Sequence, residues 1–141
     1  MIKKNYPIIN NIKNTYIQKS NIDGDGLFTK KEFKKDEILG ELDGQIISWD
    51  LYNSLKKLYD ENKDYFFGEW NALDEKTLLV RALRTKYSYI NHSRKPNLKL
   101  IYNPLRIVAI EDIPENTELT LDYRKEPLRK EYIENHGKYY L

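Results

Sequence analysis

The 141-residue chain contains no cysteine. Structural disulfides, thiolate metal sites and a cysteine nucleophile are therefore excluded. Histidine is nearly as scarce: two residues, His92 and His136, are too few to favour a zinc site, and no metal is expected. No stretch approaches the roughly 20 consecutive apolar residues of a membrane-spanning helix, so no membrane partner is expected. The opening stretch, MIKKNYPIINNIKN, carries charge without a continuous apolar core and reads poorly as a signal peptide. Together these absences predict a cytoplasmic protein. A strong charge of one sign is missing too. The formal net charge is +2, too mild to argue for direct nucleic-acid binding.

What is present is a globular composition, 40% hydrophobic and 33% charged, of a length that suits one domain over residues 1–141. Tyrosine stands out, with 12 residues against 4 Phe and 2 Trp. A tyrosine-rich small domain can line polar-aromatic pockets. A Lys/Asn/Ile/Tyr bias inherited from an AT-rich genome gives the same count.

Most segments read as short strands between turn residues: 12–19, 26–30, 37–42, 45–48, 65–70, 77–81, 98–102, 105–110 and 117–121. Turns fall at Asp23–Gly26, Asp43-Gly44, Asn71–Lys76 and Asn103-Pro104. The best helix is 49–62, capped by Ser48, with Leu51, Leu55, Leu58 and Tyr59 on one face. A second helix is predicted over 128–136, ended by Gly137. Many strands with few helices make a mainly β fold class with short helices, not an alternating βαβ one.

Four segments carry candidate chemistry. Asp23-Gly24-Asp25-Gly26-Leu27-Phe28 places two glycines a residue apart, which allows a tight turn and a close backbone approach to a ligand. It lacks the third glycine and following helix of a dinucleotide site. Glu41-Leu42-Asp43-Gly44 alone is a strand running into a turn. Tyr89-Ile90-Asn91-His92-Ser93, followed by Pro96-Asn97, sets three polar side chains directly after apolar ones. A metal site, a nucleophile with its base, a turn or a polar pocket would each explain them. Ser93 beside His92 is a poor nucleophile pair, because neighbouring side chains rarely face each other and no Gly-x-Ser-x-Gly elbow is present. Asn91 offers a donor and an acceptor on one short side chain, which suits a ligand with an amino-acid moiety. Glu118-Leu119-Thr120-Leu121-Asp122-Tyr123 ends a strand on a tyrosine whose hydroxyl can orient a reacting group.

In this order and at these separations the four segments resemble the SET-domain protein lysine methyltransferases. The resemblance runs from about Ile17 to Tyr123. It implies a β-clip-like fold of several small sheets in which the two C-terminal motifs meet in a knot-like crossing. It also implies S-adenosylmethionine as cofactor and a protein with an exposed lysine, a histone or another, as substrate. Gly24, Asp25, Gly26 and Leu27 should then lie along the methionine end of the cofactor. Asn91 should accept from its ammonium. His92 should meet the adenine through its backbone while its ring braces the fold, and Tyr123 should sit where the methyl group passes.

The chain departs from the family pattern in several places. Leu42 stands where many members carry a tyrosine that lines the lysine channel; Tyr102 or the tail tyrosine Tyr140 is the candidate to replace it. Arg94 stands where relatives often have cysteine after Asn-His-Ser, and no cysteine-rich segment follows Tyr123. Asp36 and Asn116 occupy turn positions that are often glycine; both side chains tolerate left-handed backbone. Residues 49–81 correspond to the variable insert of the family, and residues 124–141 are a C-terminal helix and tail. The absence of a chromatin-reading segment suggests a bacterial or viral protein; a homodimer is compatible with the sequence. The alternative reading is a non-catalytic SET-like domain that binds S-adenosylmethionine or a protein partner.

Overall fold

The computed structural model describes residues 8–61 and 68–141. Among them ten short strands form four small sheets, with two helices. β1 (Thr15–Lys19) and β2 (Asp25–Thr29) make an antiparallel hairpin over the Ser20–Gly24 turn. β3 (Ile38–Glu41), β9 (Arg106–Ala109) and β8 (Leu98–Ile101) form a three-stranded sheet with β9 in the middle. β4 (Gln45–Ser48), β6 (Thr77–Arg81) and β5 (Glu69–Ala72) form another, with β6 in the middle. β7 (Asn91–His92) and β10 (Thr120–Leu121) pair in parallel, Asn91 opposite Thr120 and His92 opposite Leu121. The expected mainly β architecture of several small sheets is what the chain forms. The segments 1–7 and 62–67, with part of the expected strand 65–70, lie outside the described residues.

The core explains why such short strands hold. Leu27, Leu39, Leu98, Ile107 and Leu121, from three of the sheets, meet Ile90 and Leu119 in one buried cluster. Each strand is too short to be stable alone, so burial between sheets does the work that strand length does elsewhere. Sharp corners turn the chain. Asn14, Asp36, Asn103 and Asn116 all have φ between 59° and 70°, and those at Asp36 and Asn116 lie where the chain leaves one sheet for another. Asn and Asp reach this left-handed region more cheaply than other side chains, so the turns expected at Asp36 and Asn116 survive without glycine.

Several elements differ from expectation. The strand read over 117–121 is divided between two partners. Leu119 N donates to Leu27 O (2.8 Å) and Phe28 bridges Glu118, so only Thr120–Leu121 remain to pair with β7. β1 starts at Thr15 and not at residue 12, because Asn14 turns the chain and Thr15 Oγ1 donates back to Ile12 O (2.6 Å).

Helix α1 (Trp49–Glu61) is capped as expected, with Leu51 N donating to Ser48 Oγ (2.9 Å). Its buried face is different: Leu51 and Leu58 are about half exposed, while Trp49 is buried and packs edge-on against Trp70 with ring centroids 5.4 Å apart. Large aromatic rings bury more area than the leucine stripe, and they set the rotation of the helix. Helix α2 spans Lys130–Asn135, because Arg129 is still extended. Gly137 does not end it by a left-handed turn; a Cβ there would come 2.9 Å from Leu141 Cδ1, so the glycine serves close packing of the tail.

Candidate active site

The parallel pair β7–β10 is the crossing of the two C-terminal motifs, and hydrogen bonds from short polar side chains to backbone fix it. Asn97 Nδ2 donates to Glu118 O (2.8 Å), and Asn97 Oδ1 accepts from Thr120 N (2.9 Å). Ser93 N donates to Leu121 O (2.9 Å). His92 Nδ1 accepts from Tyr123 N (3.0 Å), which leaves the ring proton on Nε2. Burial lowers the His92 pKa below its usual value, against the pull of Asp122, and so favours this neutral form. Asp122 caps the tight 3-10 turn Tyr123–Lys125 and binds Arg124 through both oxygens. That contact holds its carboxyl down at about 2. The imidazole of His92 thus ties β7 to the turn that follows β10.

On one side of the crossing lies a recess rich in acceptors. Asn91 Nδ2 donates to Glu118 Oε2 (2.9 Å) and to Asp23 O (3.1 Å), and it lies 3.1 Å from Ser20 Oγ. Ser20 Oγ is 2.8 Å from each Glu118 oxygen and accepts from Ile22 N (2.8 Å). Among the described residues none donates to Asn91 Oδ1. Gly26 is needed here for space: a Cβ would sit 2.5 Å from Glu118 Oε2 and 3.1 Å from Ser20 Cβ. Gly24 has φ +44°, and a Cβ there would meet nothing within 4 Å, so the turn borders open space. Two carbonyls, a carboxylate and a free amide oxygen beside an open turn fit a bound ammonium group. The methionine end of S-adenosylmethionine carries one, and the residues present suit it. Asp25 is exposed and contributes its carbonyl, 3.5 Å from Asn91 Nδ2. Leu27 lies fully buried in the core, so any role toward a ligand is through backbone alone.

Tyr123 lines an aromatic cavity of about 200 Å³ together with Trp70, Tyr87, Tyr132 and Tyr140, and Glu69 and Glu126 belong to the same wall. The Tyr123 hydroxyl donates to the carbonyl of Ile90. Burial and the neighbouring Glu126 push its pKa far above that of a free phenol, so it keeps its proton and serves to orient. Its ring packs on His92 (5.2 Å) and edge-on against Tyr140 (6.3 Å). Of the expected substrate residues, Tyr140 therefore reaches the cavity. Tyr102 lines a separate cavity of about 270 Å³ with Leu121, Asp122, Lys125 and Glu126. Leu42 lines neither; it is buried in the main core, its N–H bound to Leu105 O (2.8 Å). Among the described residues no cluster of three His, Asp or Glu could hold a metal, and no helix is long and apolar enough to cross a membrane.

The family model for the SET domain matches residues 24–124. The chain belongs to the SET domain family. Its SET domain is 34% identical over 115 residues to histone-lysine N-methyltransferase EZA1 of Arabidopsis thaliana, covering 77% of this chain and 13% of that protein. It is 36% identical over 118 residues to histone-lysine N-methyltransferase CLF of Oryza sativa subsp. japonica, covering 79% of this chain and 13% of that protein. Human histone-lysine N-methyltransferase 2D matches at 30% over 118 residues, 79% of this chain and 2% of its own. The chain thus spans a small fraction of these relatives. The crystal structure of CpSET8 from Cryptosporidium superposes with a TM-score of 0.58 at 24% identity, covering 77% of this chain and 56% of that one, which bears on the fold.

The sequence left out several residues of this SET domain's site. Glu118 stood inside a recognised segment without a role, and the structure sets it against Asn91 and Ser20. Ser20, Trp70, Tyr87, Tyr132 and Glu126 reach the site only through folding, and no local pattern marks them.

Proposed function

We propose that this SET domain transfers a methyl group from S-adenosylmethionine to the side chain of a protein lysine, a histone lysine being the first candidate. The observation that carries the reading is the arrangement around one crossing. Asn91 stands among acceptors that suit an ammonium, beside the open Gly24 turn, while Tyr123, thirty-odd residues later, lines an aromatic cavity. The names of the relatives support the substrate class.

When bound, the cofactor supplies a methyl group already activated on a sulfonium, so the protein has only to align donor and acceptor. Asn91 Oδ1, the Glu118 carboxylate and the Asp23 carbonyl would hold the cofactor's ammonium. Tyr123 keeps its hydroxyl proton and, fixed by Ile90 O, presents a rigid polar edge at the cavity. The ring faces of Trp70, Tyr132 and Tyr140 suit a cationic or partly charged nitrogen. Free lysine has a pKa of about 10.4, so its nitrogen must lose a proton before it can accept the methyl group. Incubation with labelled S-adenosylmethionine, core histones and a whole-cell extract tests this: label should appear on lysine. Cofactor binding with no transfer to any protein would move the chain to the non-catalytic alternative. Leu42, buried in the core at the position where the family resemblance implies a channel tyrosine, is the observation that favours that second reading.

A further inference from the structure

Three residues after Tyr123, Glu126 places a carboxyl on the wall of both cavities described above. Its surroundings are built. Arg81 grips Glu69 (2.5 Å) and donates to Asn71 Oδ1 (2.5 Å). Arginine only donates, so the Asn71 carboxamide must turn its oxygen to Arg81 and its Nδ2 to Glu126 Oε1 (3.2 Å). The Tyr87 hydroxyl approaches the same oxygen (3.5 Å). The other oxygen, Oε2, has no hydrogen-bond partner among the described residues. Asn71 is fully buried and Arg81 nearly so, which makes this a fixed polar chain inside the domain.

We propose that Glu126 is the proton acceptor for the substrate lysine: Oε2 takes a proton from the ammonium in the aromatic cavity, and water in the second cavity later removes it. The inference rests on the transferase reading above. In the step an N–H bond of the ammonium breaks and an O–H bond on Glu126 forms. The nitrogen keeps the electron pair with which it would attack the methyl carbon, the N–C bond forming as the C–S bond breaks and a neutral thioether leaves, and the carboxylic acid then loses its proton to solvent. Tyr123 cannot do this, because its own hydroxyl proton is retained.

The charged groups around Glu126 come from every packed element. Glu69 and, through Asn71, Arg81 face it from the β4–β6–β5 sheet. Lys99, Asp122 and Lys125 stand around the second cavity. The phenols of Tyr87, Tyr123, Tyr132 and Tyr140 border the first, and Tyr102 borders the second. Arg81 is committed to Glu69, and burial outweighs the hydrogen bonds from Asn71 and Tyr87, so the Glu126 carboxyl is pushed up to about 7. That brings it nearer to the ~10.4 of lysine than an ordinary glutamate at ~4.3, as a proton acceptor working at neutral pH requires.

The test uses the full chain. Carboxyl-carbon NMR of glutamate-labelled protein should show Glu126 titrating near 7 and its resonance moving when a lysine peptide is added. A midpoint in the ordinary range near ~4.3 overturns the assignment. Methyl transfer by the native chain should rise with pH through that midpoint as the carboxylate forms. Glu126→Gln should slow transfer at neutral pH by about 10²–10⁴-fold while calorimetry shows unchanged cofactor affinity. The loss should shrink as the pH nears ~10.4, where solvent itself strips the ammonium, and Glu126→Asp should restore part of the rate. A glutamine variant slowed equally at every pH, or not slowed, removes Glu126 from the mechanism and leaves the transferase reading standing. If that variant does not fold, the titration of the native chain decides. A native chain that binds cofactor and methylates nothing overturns the transferase reading, and this inference with it.

Discussion

In the crossing, the ordering forces are hydrogen bonds from polar side chains to backbone, Asn97 to Glu118 and Thr120 and His92 to Tyr123, beside the backbone pair Ser93–Leu121. In the wall opposite, they are ring contacts between distant segments. Tyr132 of α2 lies 5.2 Å from Trp70 and 6.2 Å from Trp49, and Tyr140 packs on Tyr123. Arg129 adds an ion pair to Asp50 (3.2 Å), but Asp50 is exposed and such pairs are worth about 0–1 kcal/mol. The first region is directional and intolerant of substitution, because each lost side chain leaves a backbone group unpaired. The second is apolar and adaptable, because rings can be exchanged if the volume is kept. Under the proposed transferase function, the first wall would hold the cofactor and the second the substrate side chain.

Breaking the apolar wall should cost most stability. Trp49→Ala empties the centre of the small cluster formed with Ala72 and Leu78. It should lower the unfolding free energy by about 3–5 kcal/mol, read from a denaturant titration, and should expose α2. A shift of under half a kilocalorie would mean that the insert does not depend on its aromatic anchor.

Next in size is Tyr123→Phe, where the two regions touch. The ring contacts with His92 and Tyr140 stay and only the hydroxyl leaves. Transfer should fall by about tenfold to a thousandfold, or about 1.4–4 kcal/mol of transition-state stabilisation, with the fold and cofactor affinity nearly unchanged. Unchanged turnover would show that the hydroxyl only ties Ile90 in place.

Asn91→Ala tests the polar side. It removes the donor to Glu118 and the free oxygen offered to an ammonium. Hydrogen bonds to charged groups are worth roughly 1.5–3 kcal/mol, so calorimetry should find S-adenosylmethionine bound about ten- to a hundredfold more weakly by a folded variant. Native affinity in that variant would place the ammonium elsewhere.

The smallest effect is expected from removing Lys138–Leu141. This takes away Tyr140 and the Leu141 carbonyl that accepts from Arg94 (3.0 Å), while Tyr132 keeps its place on Trp70. The melting temperature should change little. Transfer should slow or cofactor binding weaken by a few-fold, about 1 kcal/mol, as one aromatic contact is lost. A shortened chain equal to the native one in both would reduce the tail to a terminus.

The sequence by itself determined the parts that obey local rules. The turn glycines, the left-handed Asp36 and Asn116, the Ser48 cap and most strand positions follow from what a residue and its neighbours permit. So does the Asn91–Asn97 segment, because a run of small polar groups after apolar ones must find backbone partners. Tertiary structure alone decided which partners those were. It turned Trp49 and not Leu51 inward, divided 117–121 between two strands, sank Leu42 into the core and gathered Asn71, Arg81 and Glu126 from three segments. A carboxyl acquires its proton affinity from burial and from neighbours far along the chain, and these exist only once the chain has folded.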